Sequence, residues 1–163
     1  MAGRHGETQA QAATVVLKLP PPVWTAVYVL LAAALSRLLG GPTLPQLHIV
    51  PLGIALVAIA WIPSLWAFIL FRREGTEINP TSPANRQLVA GGPYRFTRNP
   101  MYLGLVILSA GIAIWVGTWP FFLAPIALFA TVNWVHIPFE EAKMRRQFGA
   151  AYDSYVGRVR RWV

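Results

Sequence analysis

The sequence predicts an all-α polytopic membrane protein, with about four transmembrane helices followed by a C-terminal amphipathic helix. Two observations lead to this prediction. The 163 residues are 55% hydrophobic and only 12% charged, with a mean hydropathy of +0.48, which is more apolar than an ordinary soluble domain. The apolar residues also collect into four runs, each close to the roughly 20 residues that a helix needs to cross a bilayer.

The predicted spans lie at about 23–39, 49–71, 102–118 and 119–137. The first follows Pro20-Pro21-Pro22, and the second is interrupted only by Pro51, Pro63 and Ser64. Backbone that crosses lipid must be helical, because no water is available there for its polar groups. We therefore expect a polar N-terminal segment at 1–19 and a single membrane-embedded domain at 20–163.

The basic residues predict the orientation of these spans. With four spans, both termini and the loop 72–101 lie on the same side of the membrane. That side contains thirteen of the 14 Lys and Arg residues, all except Arg37. Basic loops stay in the cytoplasm, so we expect both termini, the loop and any site beside them to be cytoplasmic. This bias and anionic headgroups account for the net charge of +8. The charge therefore does not indicate nucleic-acid binding.

Two cytoplasmic parts remain. The loop 72–101 contains several Pro and Gly residues, and a structureless loop of this length is commonly functional. Residues 139–156 have a basic, amphipathic pattern that predicts a helix along the headgroups. Arg158, Arg160, Arg161 and Trp162 would end it as an interface anchor.

Glu140 and Glu141 directly follow the fourth span. A carboxylate so close to hydrocarbon needs a cation, which could be Lys143, Arg145 or a loop arginine, or else the ammonium or sulfonium of a ligand. His136 lies one helical turn before Glu140 on the same face. It could be an interface residue or part of the same site.

The start of the third span offers a second polar group. Pro100 suits the first turn of a helix and Asn99 is then a suitable N-cap. This pattern is consistent with a simple capped helix beside a basic Arg98, but a helix N-terminus can also bind an anion. Tyr94 and Tyr102 could stack on a ligand or belong to an aromatic belt.

Several other chemistries are excluded by the sequence. Asp153 is the only aspartate, so no Ser-His-Asp set is plausible. His5, His48 and His136 lie in separate regions, which argues against a metal site. No Gly-Lys-Ser/Thr of a P-loop occurs.

The motifs together resemble a known superfamily. LVAGGPYRFTRNPMYLG at 88–104 is similar to the signature of the isoprenylcysteine carboxyl methyltransferases and phospholipid methyltransferases, which are integral membrane enzymes. The order of the tail motifs also matches: Glu140-Glu141, Phe148-Gly149, Tyr152, Tyr155 and Arg158-Val159. The resemblance covers about 75–162, over half of the chain.

The resemblance implies methyl transfer from S-adenosylmethionine to a lipophilic acceptor. It also implies that the cofactor sits in a cytoplasmic pocket capped by the C-terminal segment, which a tunnel connects to the bilayer. The residues it implies for the cofactor are Gln87, Leu88, Val89, Tyr94, Asn99, Pro100, Met101, Tyr102, Glu140 and Glu141. Those implied for catalysis are Arg98, Asn99 and Glu141, and those for the acceptor are His136 and Arg95. No metal is implied.

The chain departs from the carboxyl methyltransferase pattern at two positions. Asn99 stands where those enzymes have a histidine, and His136 stands where they have an arginine that meets the substrate carboxylate. The acceptor is therefore open between a prenylcysteine carboxylate, a phospholipid amine, a quinone-like lipid and a small hydrophobic thiol. A membrane reductase using NADPH, similar to the sterol reductases, and a membrane module without catalysis are the alternative functions.

Overall fold

The computed structural model describes residues 19–73, 75 and 88–163. Its main elements are α1 (Pro21–Leu38), α2 (Val50–Ile59), α3 (Trp61–Arg73), a 3₁₀ turn (Gly92–Arg95), α4 (Pro100–Val116), α5 (Trp119–Thr131), a π-helical turn (Val132–His136), α6 (Ile137–Phe148) and α7 (Ala150–Val156). The described ranges contain no β-strand, only an isolated bridge between Thr43 and Thr118. The predicted all-α class is confirmed.

The lengths and compositions of these helices are those of a membrane protein. Pro21–Leu38, Val50–Arg73 and Trp119–Phe148 are each long and apolar enough to cross a bilayer, and Pro100–Val116 is a shorter apolar helix of 17 residues. Large apolar side chains are exposed along them, as lipid-facing surfaces require. Residues 1–18 of the predicted N-terminal segment, and residues 74 and 76–87 of the loop 72–101, lie outside the described residues.

Helix α4 is the centre of the bundle. It packs against α2 and α3 on one side and against α5 on the other, while α1 lies mainly on α5. Small side chains form the buried contact between α1, α4 and α5, where Ala32, Ala113 and Ala124 surround Phe121. A second cluster, at the N-terminal end of α4, contains Tyr102, Leu128, Val132 and Ile137. Both ends of α4 are therefore fixed by neighbours.

Glycines allow α2 and α3 to approach α4 closely. A Cβ on Gly53 would lie 2.7 Å from the Cα of Trp115, and one on Gly111 would lie 2.9 Å from the backbone nitrogen of Val57. Close approach through small residues is how membrane helices gain packing energy without a hydrophobic driving force between them. The helix α4 was predicted as a span, but its glycine-lined face becomes apparent only from its neighbours.

The second predicted span, 49–71, is two helices. Helix α2 ends at Ile59 and α3 begins at Trp61, with Ala60 between them. Pro63 explains the break, because it lacks the N–H that would bond to Ile59 and its ring crowds that carbonyl. The pair still runs as one apolar stretch of 24 residues.

The fourth span was predicted to end at 137 and a separate helix to follow at 139–156, and this boundary is wrong. The helix that begins at Trp119 continues through the π-helical turn into α6, to Phe148. The π-helical bond joins the Ile137 N–H to the Val132 carbonyl, directly before Pro138, which has no N–H for a regular α-helical bond. The real break comes at Gly149, whose φ of +50° favours glycine and separates α6 from α7.

Polar side chains also join α1 to α5. The Tyr28 and Thr131 hydroxyl oxygens lie 2.6 Å apart, and the Ser36 hydroxyl donates to Thr118 at 2.9 Å. Hydrogen bonds between membrane helices contribute about 0.6 kcal/mol on average. We expect Tyr28→Phe to lower the free energy of unfolding by about that amount, measured by thermal unfolding in detergent. A loss as large as that of a buried ion pair would contradict this.

Candidate active site

One large cavity lies at the end of the bundle where α1, α3, α4, α6 and α7 converge. Its volume is about 1140 Å³. Polar side chains from the segment before α4, from α4, from the π-helical turn, and from α6 and α7 line one part. Apolar side chains, mainly of α1, α3 and α4, line the rest. The polar part includes Tyr94, Arg98, Asn99, Tyr102, His136, Glu140, Glu141, Tyr152 and Tyr155.

Glu141 is held by two arginines on the wall of this cavity. The Arg98 Nη2 donates to Glu141 Oε1 at 2.9 Å, and the Arg161 Nη2 donates to Oε2 at 2.6 Å. The Arg161 Nε also donates to Oε1, at 3.1 Å. The side chains of Glu141 and Arg98 are only 16% and 11% exposed, so solvent screens this pair little. The carboxylate of Glu141 is therefore already neutralised by the protein.

Residues 156–162, from the last residue of α7 onward, form a strap across the start of α4. Its backbone carbonyls accept hydrogen bonds from the loop before α4: Val159 from Arg98 Nη1, Arg160 from the Arg98 N–H, and Arg161 from Asn99 Nδ2 at 2.9 Å. The Thr97 hydroxyl also donates to the Arg161 carbonyl at 3.0 Å. Asn99 occupies the N-cap position, but its side chain binds the strap and does not cap α4.

The strap is anchored at its far end in the π-helical turn. The Trp162 Nε1 donates to Asn133 Oδ1 at 3.0 Å, and the Trp162 ring lies 4.9 Å from that of Phe129. Arg161 and Trp162 were expected to be an interface anchor. Both instead tie the strap to the helix that carries Glu141, so the end of the chain belongs to the site.

Glu140 is arranged differently from its neighbour. The Tyr102 hydroxyl donates to Glu140 Oε1, and none of the ion pairs found among the described residues involves Glu140. The imidazole of His136, one turn earlier, lies 6.3 Å from the Tyr102 ring. Glu140 is thus the carboxylate of the two that no arginine of the described residues holds.

Three further tyrosines surround the polar part. The Tyr155 hydroxyl donates to the backbone carbonyl of Tyr94 at 2.8 Å, which ties α7 to the 3₁₀ turn. Burial raises the pKa of Tyr152 to about 12, and burial likewise raises the pKa values of Tyr94 and Tyr155. All three phenols are therefore neutral in the physiological range and can donate hydrogen bonds.

The apolar part of the cavity extends from Tyr102 along α4. Leu105, Leu108 and Ile112 lie on its wall. Ile112 is ten residues beyond Tyr102, which corresponds to a depth of about 15 Å along the helix. Helices α1 and α3 provide the facing walls: Pro22, Thr25, Ala26, Val29, Trp61, Leu65 and Phe68. Such a space suits a hydrocarbon chain beside the polar part.

The structure brings together nearly all of the residues predicted for the site. Those that line the cavity are Leu88, Val89, Tyr94, Arg98, Asn99, Pro100, Met101, Tyr102, His136, Glu140 and Glu141. Arg95 is exposed and does not line it, and Gln87 lies outside the described residues. The sequence reasoning missed Asn133 and Arg161 as parts of the site. Asn133 could have been identified from the sequence, because it is a polar amide within an otherwise apolar run.

Two comparisons with known proteins found relatives of this chain. The sequence profile of the phospholipid methyltransferase family (PEMT) matches residues 49–151. An uncharacterized protein of Haemophilus influenzae is 32% identical over 63 residues, which are 39% of this chain and all of that relative. No solved structure matches the chain significantly. Since the matched residues contain α2 to α6 and most of the cavity's polar wall, the chain belongs to the phospholipid methyltransferase family of membrane proteins.

Proposed function

We propose that the protein transfers a methyl group from S-adenosylmethionine to a lipophilic acceptor. The observation that supports this most directly is the cavity, in which a polar part with an available carboxylate adjoins an apolar part along α4. Pockets for single drug-sized ligands are roughly 300–1,000 Å³. The volume of about 1140 Å³ leaves room for a cofactor and part of an acceptor.

The polar part fits the charged groups of the cofactor. Glu140 would bind the ammonium of the methionine moiety, because Glu141 is already paired with two arginines. The first turn of α4 would offer the backbone N–H groups of Met101 and Tyr102 to the carboxylate, beside Pro100, which has no N–H of its own. The aromatic and apolar side chains that would enclose the adenine and ribose are those of Leu88, Val89, Tyr94, Tyr152 and Tyr155.

Arg98, Asn99 and Glu141 would act by holding the strap over the bound cofactor. Arg98 and Asn99 both donate to strap carbonyls, and Arg98 and Arg161 share the Glu141 carboxylate. The cofactor supplies an electrophilic methyl group on a sulfonium. The protein's contribution is to orient the acceptor and to exclude water, which is how positioning lowers such a barrier.

The acceptor would enter the apolar part with its reactive group beside Tyr102 and His136. We also propose that this end of the molecule faces the cytoplasm, since the strap and α6 contain most of the arginines and lysines of the described residues. Addition of a protease to sealed, oriented vesicles tests this: cleavage of a C-terminal tag from the cytoplasmic face is expected.

Calorimetry with S-adenosylhomocysteine tests the proposed cofactor. We expect binding to the detergent-purified protein, and we expect Glu140→Gln to weaken it at least about tenfold, because a hydrogen bond to a charged group contributes about 1.5–3 kcal/mol. Asp153→Asn is the matched control, since it removes an exposed carboxylate that is paired only with Arg145 at the surface.

The outcomes separate the alternatives. Equal affinity in Glu140→Gln and the native protein would refute the role of Glu140. NADPH binding without S-adenosylhomocysteine binding would favour a reductase. Cofactor binding without transfer of radiolabelled methyl groups into any component of a membrane extract would favour a binding module.

A further inference from the structure

His136 is a buried polar residue that has no partner in the protein for one of its nitrogens. It is the last residue of the π-helical turn, only 2% exposed, and it lines the cavity. Within the described residues, its Nε2 has no hydrogen-bond partner. Buried polar atoms are nearly always paired, because an unpaired one loses its hydrogen bonds to water. A ligand in the cavity is therefore the natural partner for this nitrogen.

The position of the imidazole indicates which ligand that is. Its ring lies 6.3 Å from that of Tyr102, whose hydroxyl donates to Glu140. From Tyr102 the apolar wall continues through Leu105 and Leu108 along α4. His136 thus lies where the proposed cofactor site meets the apolar part, which is the place of the acceptor's reactive group.

The π-helical turn is the reason for this position. The Ile137 N–H donates to the carbonyl of Val132, five residues earlier. A regular α-helical hydrogen bond reaches back four residues, so this turn contains one extra residue. The extra residue directs both Val132 and His136 into the interior, where they are 0% and 2% exposed, while Trp134 between them is 68% exposed. π-helical turns of this kind are frequent at functional sites.

We propose that His136 Nε2 accepts the proton of the acceptor's nucleophilic group. The acceptor would accordingly be an amine, a hydroxyl or a thiol attached to a hydrocarbon chain, and not a carboxylate. This rests on the proposed methyl transfer. The nucleophile's lone pair forms the new bond to the methyl carbon, the carbon–sulfur bond breaks with its electron pair remaining on sulfur, and the nucleophile's proton moves to Nε2 and then to water.

The surrounding charges favour a proton-bearing group over a carboxylate. A carboxylate has no proton to give to Nε2. In this position it would also lie close to the carboxylate of Glu140, and two anions in one site repel each other. The terminal nitrogens of Arg98, on the same cavity wall, are held by Glu141 and by the strap carbonyls of Val156 and Val159, and of its nitrogens only the buried Nε lacks a partner among the described residues. An imidazole is suited to receive a proton near neutral pH.

Nuclear magnetic resonance of the protein with ¹⁵N-labelled histidine tests the proposal without turnover. The chain has three histidines, so His5→Gln and His48→Gln variants assign the His136 signals by elimination. The protein is saturated with S-adenosylhomocysteine in lipid nanodiscs, and decanol, decylamine, decanethiol and decanoate are added separately. The decyl chain fits within the apolar part of the cavity, which is about 15 Å deep.

We expect decanol, decylamine and decanethiol to shift the ring-nitrogen signals of His136 and decanoate to leave them in place. An equal shift with decanoate, or no shift with any of the four probes, overturns the proposal. The assignment requires no substitution of His136 itself, so the experiment does not depend on a variant that fails to fold.

A second measurement separates this inference from the proposed function. Calorimetry of His136→Asn with S-adenosylhomocysteine is expected to give an affinity within about twofold of the native value, because an acceptor-side group does not touch the bound cofactor's charged groups. A larger loss, with native thermal stability, would place His136 in the cofactor site and overturn the inference. No binding to the native protein would instead refute the proposed function itself.

Discussion

Replacing Glu141 by glutamine is expected to lower the free energy of unfolding by about 3 kcal/mol, which is the order found when one partner of a buried ion pair is removed. The substitution keeps the shape of the side chain but leaves Arg98, which is 11% exposed, and Arg161, which is 33% exposed, without their counter-charge. The strap loses its link to α6 at the same time. We therefore expect S-adenosylhomocysteine binding to weaken as well.

Asp153→Asn is the control for this experiment. Asp153 also accepts from an arginine, Arg145, at 2.8 Å, but both side chains are more than half exposed. Exposed pairs contribute less than about 1 kcal/mol. Thermal unfolding in detergent, followed by the fluorescence of the seven tryptophans, should show a large shift for Glu141→Gln and almost none for Asp153→Asn. Equal shifts would mean that the Glu141 network contributes no more than a surface pair.

Gly104→Ala is expected to destabilise the protein by about 3 kcal/mol, at the upper end of the cost of overpacking a core with one methyl group. The added Cβ would lie 2.6 Å from the backbone carbonyl oxygen of Ala60 and would also overlap Ser64. Alanine favours a helix over glycine by about 1 kcal/mol, so a loss of stability can come only from the contact between α3 and α4.

The matched control is Gly91→Ala. A Cβ on Gly91 would meet no heavy atom within 4 Å beyond its chain neighbours, and the residue has an ordinary φ of −94°. Its replacement should therefore change the unfolding temperature little. Because α3 lines the cavity through Trp61, Ser64 and Leu65, Gly104→Ala should also alter ligand binding. A stable Gly104→Ala protein would show that α3 can move away from α4 without cost.

Much of the fold could be predicted because lipid imposes simple rules. Four apolar runs and the basic residues between them were sufficient for an all-α membrane protein, since a spanning backbone must be helical. The internal breaks were harder to predict. The break at Ala60 follows from Pro63, but the π-helical turn before Pro138 is one of several ways in which a helix can accommodate a proline.

The residues that line the cavity could mostly be predicted as well, from motifs on either side of α4. The ion pairs could not. That Glu141, and not Glu140, would meet Arg98 and Arg161 depends on contacts across 43 and 20 residues of chain. Local sequence offered several arginines as partners for either carboxylate, and Arg145 proved to bind Asp153 instead.

The sequence was enough to predict the membrane class, from the apolar runs and the charge bias, and the family, from the motifs at 88–104 and 140–159. All of these are local properties of the chain, which do not depend on how distant residues meet. The contacts within the cavity were decided by the tertiary structure alone. The strap binds the start of α4 through its backbone carbonyls, and such hydrogen bonds cannot be predicted from side-chain identity. Trp162 anchors the strap to Asn133. All three of Glu141, Glu140 and His136 line the cavity, but the strap binds only Glu141 through an arginine.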